Sequence, residues 1–109
     1  MATLFKNKVL TSVGTTKQQV IEVGPNARAT IIGLSVTNLI DQEISVSITV
    51  TDGDGVEGYF IKDVSIPPNN SLRVVNGGEK LVLPGNNLLK VYSNTDYSID
   101  VIASYVEIV

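Results

Sequence analysis

At 109 residues the chain is the size of a single domain. It contains no cysteine and no histidine, which excludes a disulfide framework, thiolate chemistry, and the commonest general base and metal ligand. Eight Lys and Arg against eleven Asp and Glu give a net charge of −3. No basic cluster is present to displace counterions from phosphates, so nucleic acid is excluded as a direct partner.

The first segment, Lys6 to Thr16, is strand-like but polar and punctuated by Gly14. Residues 1–13 read either as an edge strand or as an arm that pairs with a neighbouring subunit, ahead of a β-sandwich domain over 14–109. Val20–Val23 is a short strand that stops at Gly24-Pro25-Asn26, a strong turn signal. In Thr30–Asn38, strict alternation would place Ile32, Leu34 and Val36 on one face. Leu39-Ile40-Asp41-Gln42 reads as a hairpin connection to the next strand. That strand is the clearest of all. From Ile44 to Thr51 every even position is Ile or Val and every odd one is Ser or Thr, the period-2 signature of a pleated strand with one face on the core.

Asp52-Gly53-Asp54-Gly55 reads as a hairpin turn, since Asp-Gly supplies positive φ. Further strands are expected at Gly58–Val64, Ser71–Val75, Lys80–Leu83 and Leu88–Tyr92, separated by Pro67-Pro68-Asn69-Asn70, Asn76-Gly77-Gly78, Pro84-Gly85-Asn86-Asn87 and Ser93–Asp96. The last strand, Ser98–Ile108, is apolar on both faces and is expected to be central. About eight strands with a turn every 8–12 residues and no helix predict an all-β fold, a single antiparallel β-sandwich of jelly-roll-like form. The N-terminus lacks the apolar core of a signal peptide, and no apolar run approaches the ~20 residues of a membrane span. A soluble protein made in the cytoplasm, with no membrane partner, is expected.

The sequence offers little for chemistry. Asp52, Asp54 and Glu57 form an acidic cluster, but Val56 and Asp63 stand where an EF-hand loop needs oxygen ligands and a Glu. A turn is the preferred reading over a cation site. Asn76-Gly77-Gly78-Glu79-Lys80 lacks the spacing and the following helix of a phosphate loop. Asp96 and Asp100 lie on a turn and a strand, with nothing to set them across a cleft. Serine and threonine nucleophiles lack a base partner. The chain reads as a non-enzyme with no cofactor and no metal.

Charged residues make up only 17% of the chain, below the ~25% of typical soluble domains. That deficit points to surface covered by other chains. Contact residues are expected on the N-terminal segment (Lys6, Lys8, Leu10, Val13), on the acidic loop (Asp52, Asp54), and at Tyr59 or Phe60, which alternation places on opposite faces.

Gly33-Leu34-Ser35-Val36-Thr37-Asn38, the alternating strand 44–51, Gly58–Pro67, Asn70-Ser71-Leu72, Gly78–Leu83, Val91-Tyr92-Ser93 and Ser98–Ile108 form an order of strands and turns. Over roughly residues 14–109 this order resembles small virion structural proteins of tailed bacteriophages, including phages of cyanobacteria. The resemblance implies a homo-oligomeric particle component without catalytic residues, located on the virion and partnered by other virion proteins. A capsid decoration or cement protein is the leading expectation, with the major capsid protein as partner. A tail, neck or fibre-attachment component is the second. A carbohydrate-binding module on the virion surface is a third, of another class, although the absence of tryptophan counts against it.

Overall fold

The computed structural model describes residues 2–76 and 78–109; Met1, and Gly77 within the expected turn 76–78, lie outside them. The strands are β1 (Thr3–Val13), β2 (Gln18–Glu22), β3 (Arg28–Asn38), β4 (Ile44–Thr51), β5 (Glu57–Ile66), β6 (Ser71–Val75), β7 (Leu81–Leu83), β8 (Leu88–Ser93) and β9 (Ile99–Ile108). The described residues contain no helix.

The antiparallel pairings nest. β1 pairs with β9, β2 with β8, β3 with β6 and β7, and β4 with β5. The first half of the chain thus folds back on the second about the β4–β5 turn. This long hairpin then curls, so that β9 also pairs with β3 and β8 with β4. Two sheets result. Sheet A runs β1-β9-β3, with β6 and β7 end to end along the far side of β3, and sheet B runs β2-β8-β4-β5. This is the jelly-roll topology.

Inward residues of both sheets form one core of aliphatic side chains, among them Ile31, Leu34, Val36, Val46, Ile48, Leu83, Leu89, Val91, Ile99 and Val101. The accessible surface of 6037 Å² is close to the ~5,900 Å² that a folded monomer of this mass exposes.

Three details depart from what the sequence pattern predicts. A bulge between Ile31 and Gly33 resets β3, so Ile31 enters the core and Ile32 turns outward. The 39–42 link is not a hairpin, because β3 and β4 lie in different sheets. It is a crossing held by Asn38, which is 1% exposed. Its Nδ2 donates to the carbonyls of Gln42 (2.8 Å), Ile66 (3.1 Å) and Pro67 (3.1 Å), while its Oδ1 accepts from the Ile40 amide (3.0 Å). Finally, β5 carries two register shifts against β4. Phe60 and Tyr59 both end up exposed, where alternation had buried one of them.

Candidate assembly surface

β1 is an edge strand, paired with β9 alone. Thr3 to Leu10 align with Ile108 to Val101 without interruption. The other three edges are shorter or broken: β2 and β6 have five residues each, β7 has three, and β5 is shifted twice. Residues 3–9 are therefore a regular strand with one open row of backbone donors and acceptors. Side chains from both faces of this stretch are exposed, because the short β2 does not extend beneath it.

The sequence-selected residues of β1 divide into two groups. Lys6 and Lys8 are exposed. Lys6 Nζ reaches Glu107 Oε1 at 2.7 Å. The hydrogen bond to that carboxylate raises the ammonium above its ordinary pKa, against a smaller opposing effect of desolvation. Leu10 packs partly on the core, and Val13 is buried at 3% exposure. The cause is a bulge between Leu10 and Val13, with Ser12 at φ 54°, which turns the chain inward. These two are packing residues, not surface contacts.

The outer face of sheet A carries a group of exposed apolar side chains. Register sets Phe5, Val106, Thr30 and Val82 in one row across β1, β9, β3 and β7. Val9, Ile102 and Ser35 form a second row. Phe5 is 81% exposed, and Val9, Ile32, Val82 and Ile102 are also exposed. Sequence reasoning did not single out these positions. The signal was the apolar residues on both faces of β9, continued by the odd positions of β1.

The outer face of sheet B is different: several of its polar groups are bound to one another, although the buried Thr51 Oγ1 has no partner among the described residues. Thr49 Oγ1 donates to Glu57 Oε2 (2.8 Å) and Lys17 Nζ to Glu57 Oε1 (2.9 Å). These bonds, that from Lys17 being the larger influence, hold the Glu57 carboxyl below its ordinary range. Ser47 Oγ accepts from the Asp63 amide (2.9 Å), and the Tyr59 and Tyr92 hydroxyls meet at 2.9 Å. That contact raises the pKa of Tyr59 and lowers that of Tyr92, as expected when one hydroxyl donates and the other accepts. Tyr59 also carries the Lys62 ammonium 5.3 Å from its ring centre.

The acidic loop forms the tip of the β4–β5 hairpin. Asp52 Oδ1 accepts from the amides of Asp54 (2.9 Å) and Val56 (3.0 Å), and Gly55 takes φ +83°. Its carboxylate thus organises the turn. Asp54 is exposed. Among the described residues no three acidic side chains converge as metal ligands.

No family model matches the chain, and no curated protein matches it. Solved structures do share its fold. One is a chain from the work titled "Bacillus endospore appendages form a novel family of disulfide-linked pili", at 6% identity and a TM-score of 0.54, covering 96% of this chain and 86% of that one. Another is a chain of infectious bursal disease virus, Gx strain, at 10% identity and a TM-score of 0.53. The match covers 96% of this chain but only 31% of the viral one, so the protein spans about a third of that chain's length. At such identities the likeness is one of fold.

Proposed function

We propose that the chain is a structural subunit of a virus particle that acts by contact and not by catalysis, and that it decorates or cements the head of a tailed bacteriophage. The observation that carries this reading is the contrast between the sandwich's outer faces. On sheet B the polar groups of Ser47, Thr49, Glu57, Tyr59 and Tyr92 are hydrogen-bonded to neighbours, whereas sheet A presents Phe5, Val9 and Ile102 to solvent near the open edge of β1 and Val82 at its far edge. Exposed apolar side chains gathered on one face of a small domain, here in two rows with Asn7, Ser104 and Gly33 between them, support reading that face as an interaction site. The β1 edge adds backbone pairing, which fixes register with a partner strand. Lys8, exposed on β1, adds a positive charge beside that edge. The fold shared with a viral chain and a pilus-associated chain is consistent with a subunit that builds assemblies.

Copy number tests this. Quantitative mass spectrometry of purified particles is expected to find the protein at hundreds of copies, in proportion to the major capsid protein. A few to a few tens of copies would move it to the tail, neck or fibre base, and absence from particles would overturn the reading.

A further inference from the structure

We propose that a cleft at one end of the sandwich, between the β1–β2 turn and the β8–β9 turn, binds a neutral saccharide ring that stacks on Tyr97. The cleft measures about 260 Å³, just under the ~300–1,000 Å³ of ordinary small-molecule sites. It lies at the loop end of the strands, away from the Phe5–Val82 row, and is independent of the assembly reading.

The cleft holds backbone strain that packing does not repay. Tyr97 sits at φ 52° and Ser12, also on the cleft wall, at φ 54°. A bulky side chain rarely occupies this region unless the surroundings force it. Here they do. The Ser98 amide donates to the Val13 carbonyl (3.0 Å) and the Ser93 amide to that of Gly14 (2.8 Å). The buried Ser93 and Ser98 hydroxyls meet at 2.6 Å, and Ser98 Oγ lies 2.6 Å from the Thr95 carbonyl. Gly14 leaves no slack, since a Cβ there would lie 3.0 Å from Asp96 Cα. Yet Tyr97 is 77% exposed. Asparagine or glycine would take the same backbone more easily. The tyrosine gains little from the fold, so its ring is assigned to a ligand.

The chemistry of the walls suits the same ligand. Beside Tyr97 they present the hydroxyls of Ser12, Thr15 and Thr16, the Gln18 amide and the Asp96 carboxylate. No aliphatic or cationic side chain lines the cleft. Lys17 is near in sequence, but its ammonium is on Glu57. A phosphate or other anion would meet Asp96 with no cation to offset it, and an apolar ligand would find one ring and no enclosure. A sugar ring has what the walls require, an apolar C–H face for the phenol and hydroxyls for carboxylate, amide and hydroxyl partners. Asp96 Oδ1 accepts from Thr15 Oγ1 at 3.1 Å, and a carboxylate with one such bond keeps capacity for a ligand hydroxyl.

The test is an amide NMR titration of the full chain with methyl glycosides of glucose, galactose, mannose and N-acetylglucosamine and with their disaccharides, each at millimolar concentration. At least one is expected to shift amides within 12–18 and 96–98. Tyr97→Asn is expected to abolish those shifts while raising Tm by about 3–8 °C through relief of strain. Asp96→Asn is expected to weaken binding and leave Tm near the parent value. The proposal is overturned if no sugar of the panel moves these amides, or if Tyr97→Asn lowers Tm, which would make the ring a structural element. It is equally overturned if Tyr97→Asn removes particle attachment without any sugar response, which would assign the ring to a protein contact.

Discussion

Val9 on β1 and Ile102 on β9 stand directly opposite each other, and both project from the outer face of sheet A. Their strand neighbours show how unusual this is. Val101 and Ala103, on either side of Ile102, are fully buried, so β9 is apolar on the core side and carries Ile102 and Val106 on the outer side as well, along with Asp100 and Ser104. In a free monomer this pair would sit in water. Burial of apolar area contributes about 25 cal/mol per Å², and a partner seated on the two rows gains that term.

Substitution on this face is therefore expected to separate folding from assembly. Val9→Lys combined with Ile102→Glu places an opposite-charge pair at the same register and removes the apolar row. The monomer's stability should change by no more than about 1 kcal/mol, as for surface cross-strand pairs. Co-sedimentation with particles lacking the native protein should be lost. Retained attachment would show that the contact lies elsewhere.

The β3 bulge supplies an internal comparison. Ile31 is fully buried and Ile32 is 41% exposed. Ile31→Ala is expected to cost about 2–5 kcal/mol through lost burial and a residual cavity. Ile32→Ala should cost under about 1 kcal/mol. Urea denaturation of the two variants checks this, and the reverse order would place the bulge incorrectly.

That pair also marks where the sequence stops being legible. Alternation in 44–51 and the Gly, Pro and Asn turns located the strands, because each is a local property of the backbone. Ile31 and Ile32 are chemically identical, so nothing local tells which enters the core. The bulge follows from how β3 must register against β9 and β7 together. The 39–42 link was unreadable for the same reason, since a hairpin and a crossing between sheets need similar lengths of polar chain. Of the candidate contact residues, Lys6, Lys8, Asp52, Asp54, Tyr59 and Phe60 are exposed, which leaves them accessible to a partner. Val13 was unreadable because its direction depends on the Ser12 bulge. The apolar outer face was hidden because it is assembled from odd positions of β1, even positions of β9 and a residue of β7, far apart in sequence.

Asn38 gives a test of the crossing. Replacing it by Ala strands the Ile40 amide and the carbonyls of Gln42 and Ile66 together. Unsatisfied buried polar groups cost about 1–3 kcal/mol each; with water reaching some of them, the total loss is expected at about 2–4 kcal/mol. Asn38→Asp keeps the acceptor but loses the donors, and should be equally poor at neutral pH. Both are measured by chemical denaturation.

Glu57 sets a pH dependence on sheet B. Its carboxyl titrates below its ordinary value in the folded chain because of Lys17 and Thr49. Between the folded and unfolded pKa values the unfolded chain binds more protons, so this group's contribution rises with pH there. The contribution is complete above the ordinary carboxylate range and is lost as pH falls through the lowered value. Thermal melts of the parent and of Glu57→Gln from about pH 7 to about pH 3 should show a small gap that closes in acid. A gap that widens in acid would contradict the contacts assigned to Glu57.

β1 itself is expected to be the loosest strand of sheet A. Residues 3–9 have one pairing partner, exposed side chains from both faces and a surface ion pair, Lys6 to Glu107, as their main side-chain tie. Little apolar area is lost if they open, so their amides are expected to exchange with solvent much faster than those of β3 or β9, by a local opening and not by global unfolding. Assembly should reverse this. If a partner strand adds to the open edge, amides that face away from β9 become protected in the particle, because they gain a hydrogen bond they lack in the monomer. Hydrogen exchange with mass spectrometry, on free protein and on particles, reads both states. Protection confined to the outer face of sheet A, with the β1 edge still exchanging, would assign the contact to the apolar rows and exclude strand addition.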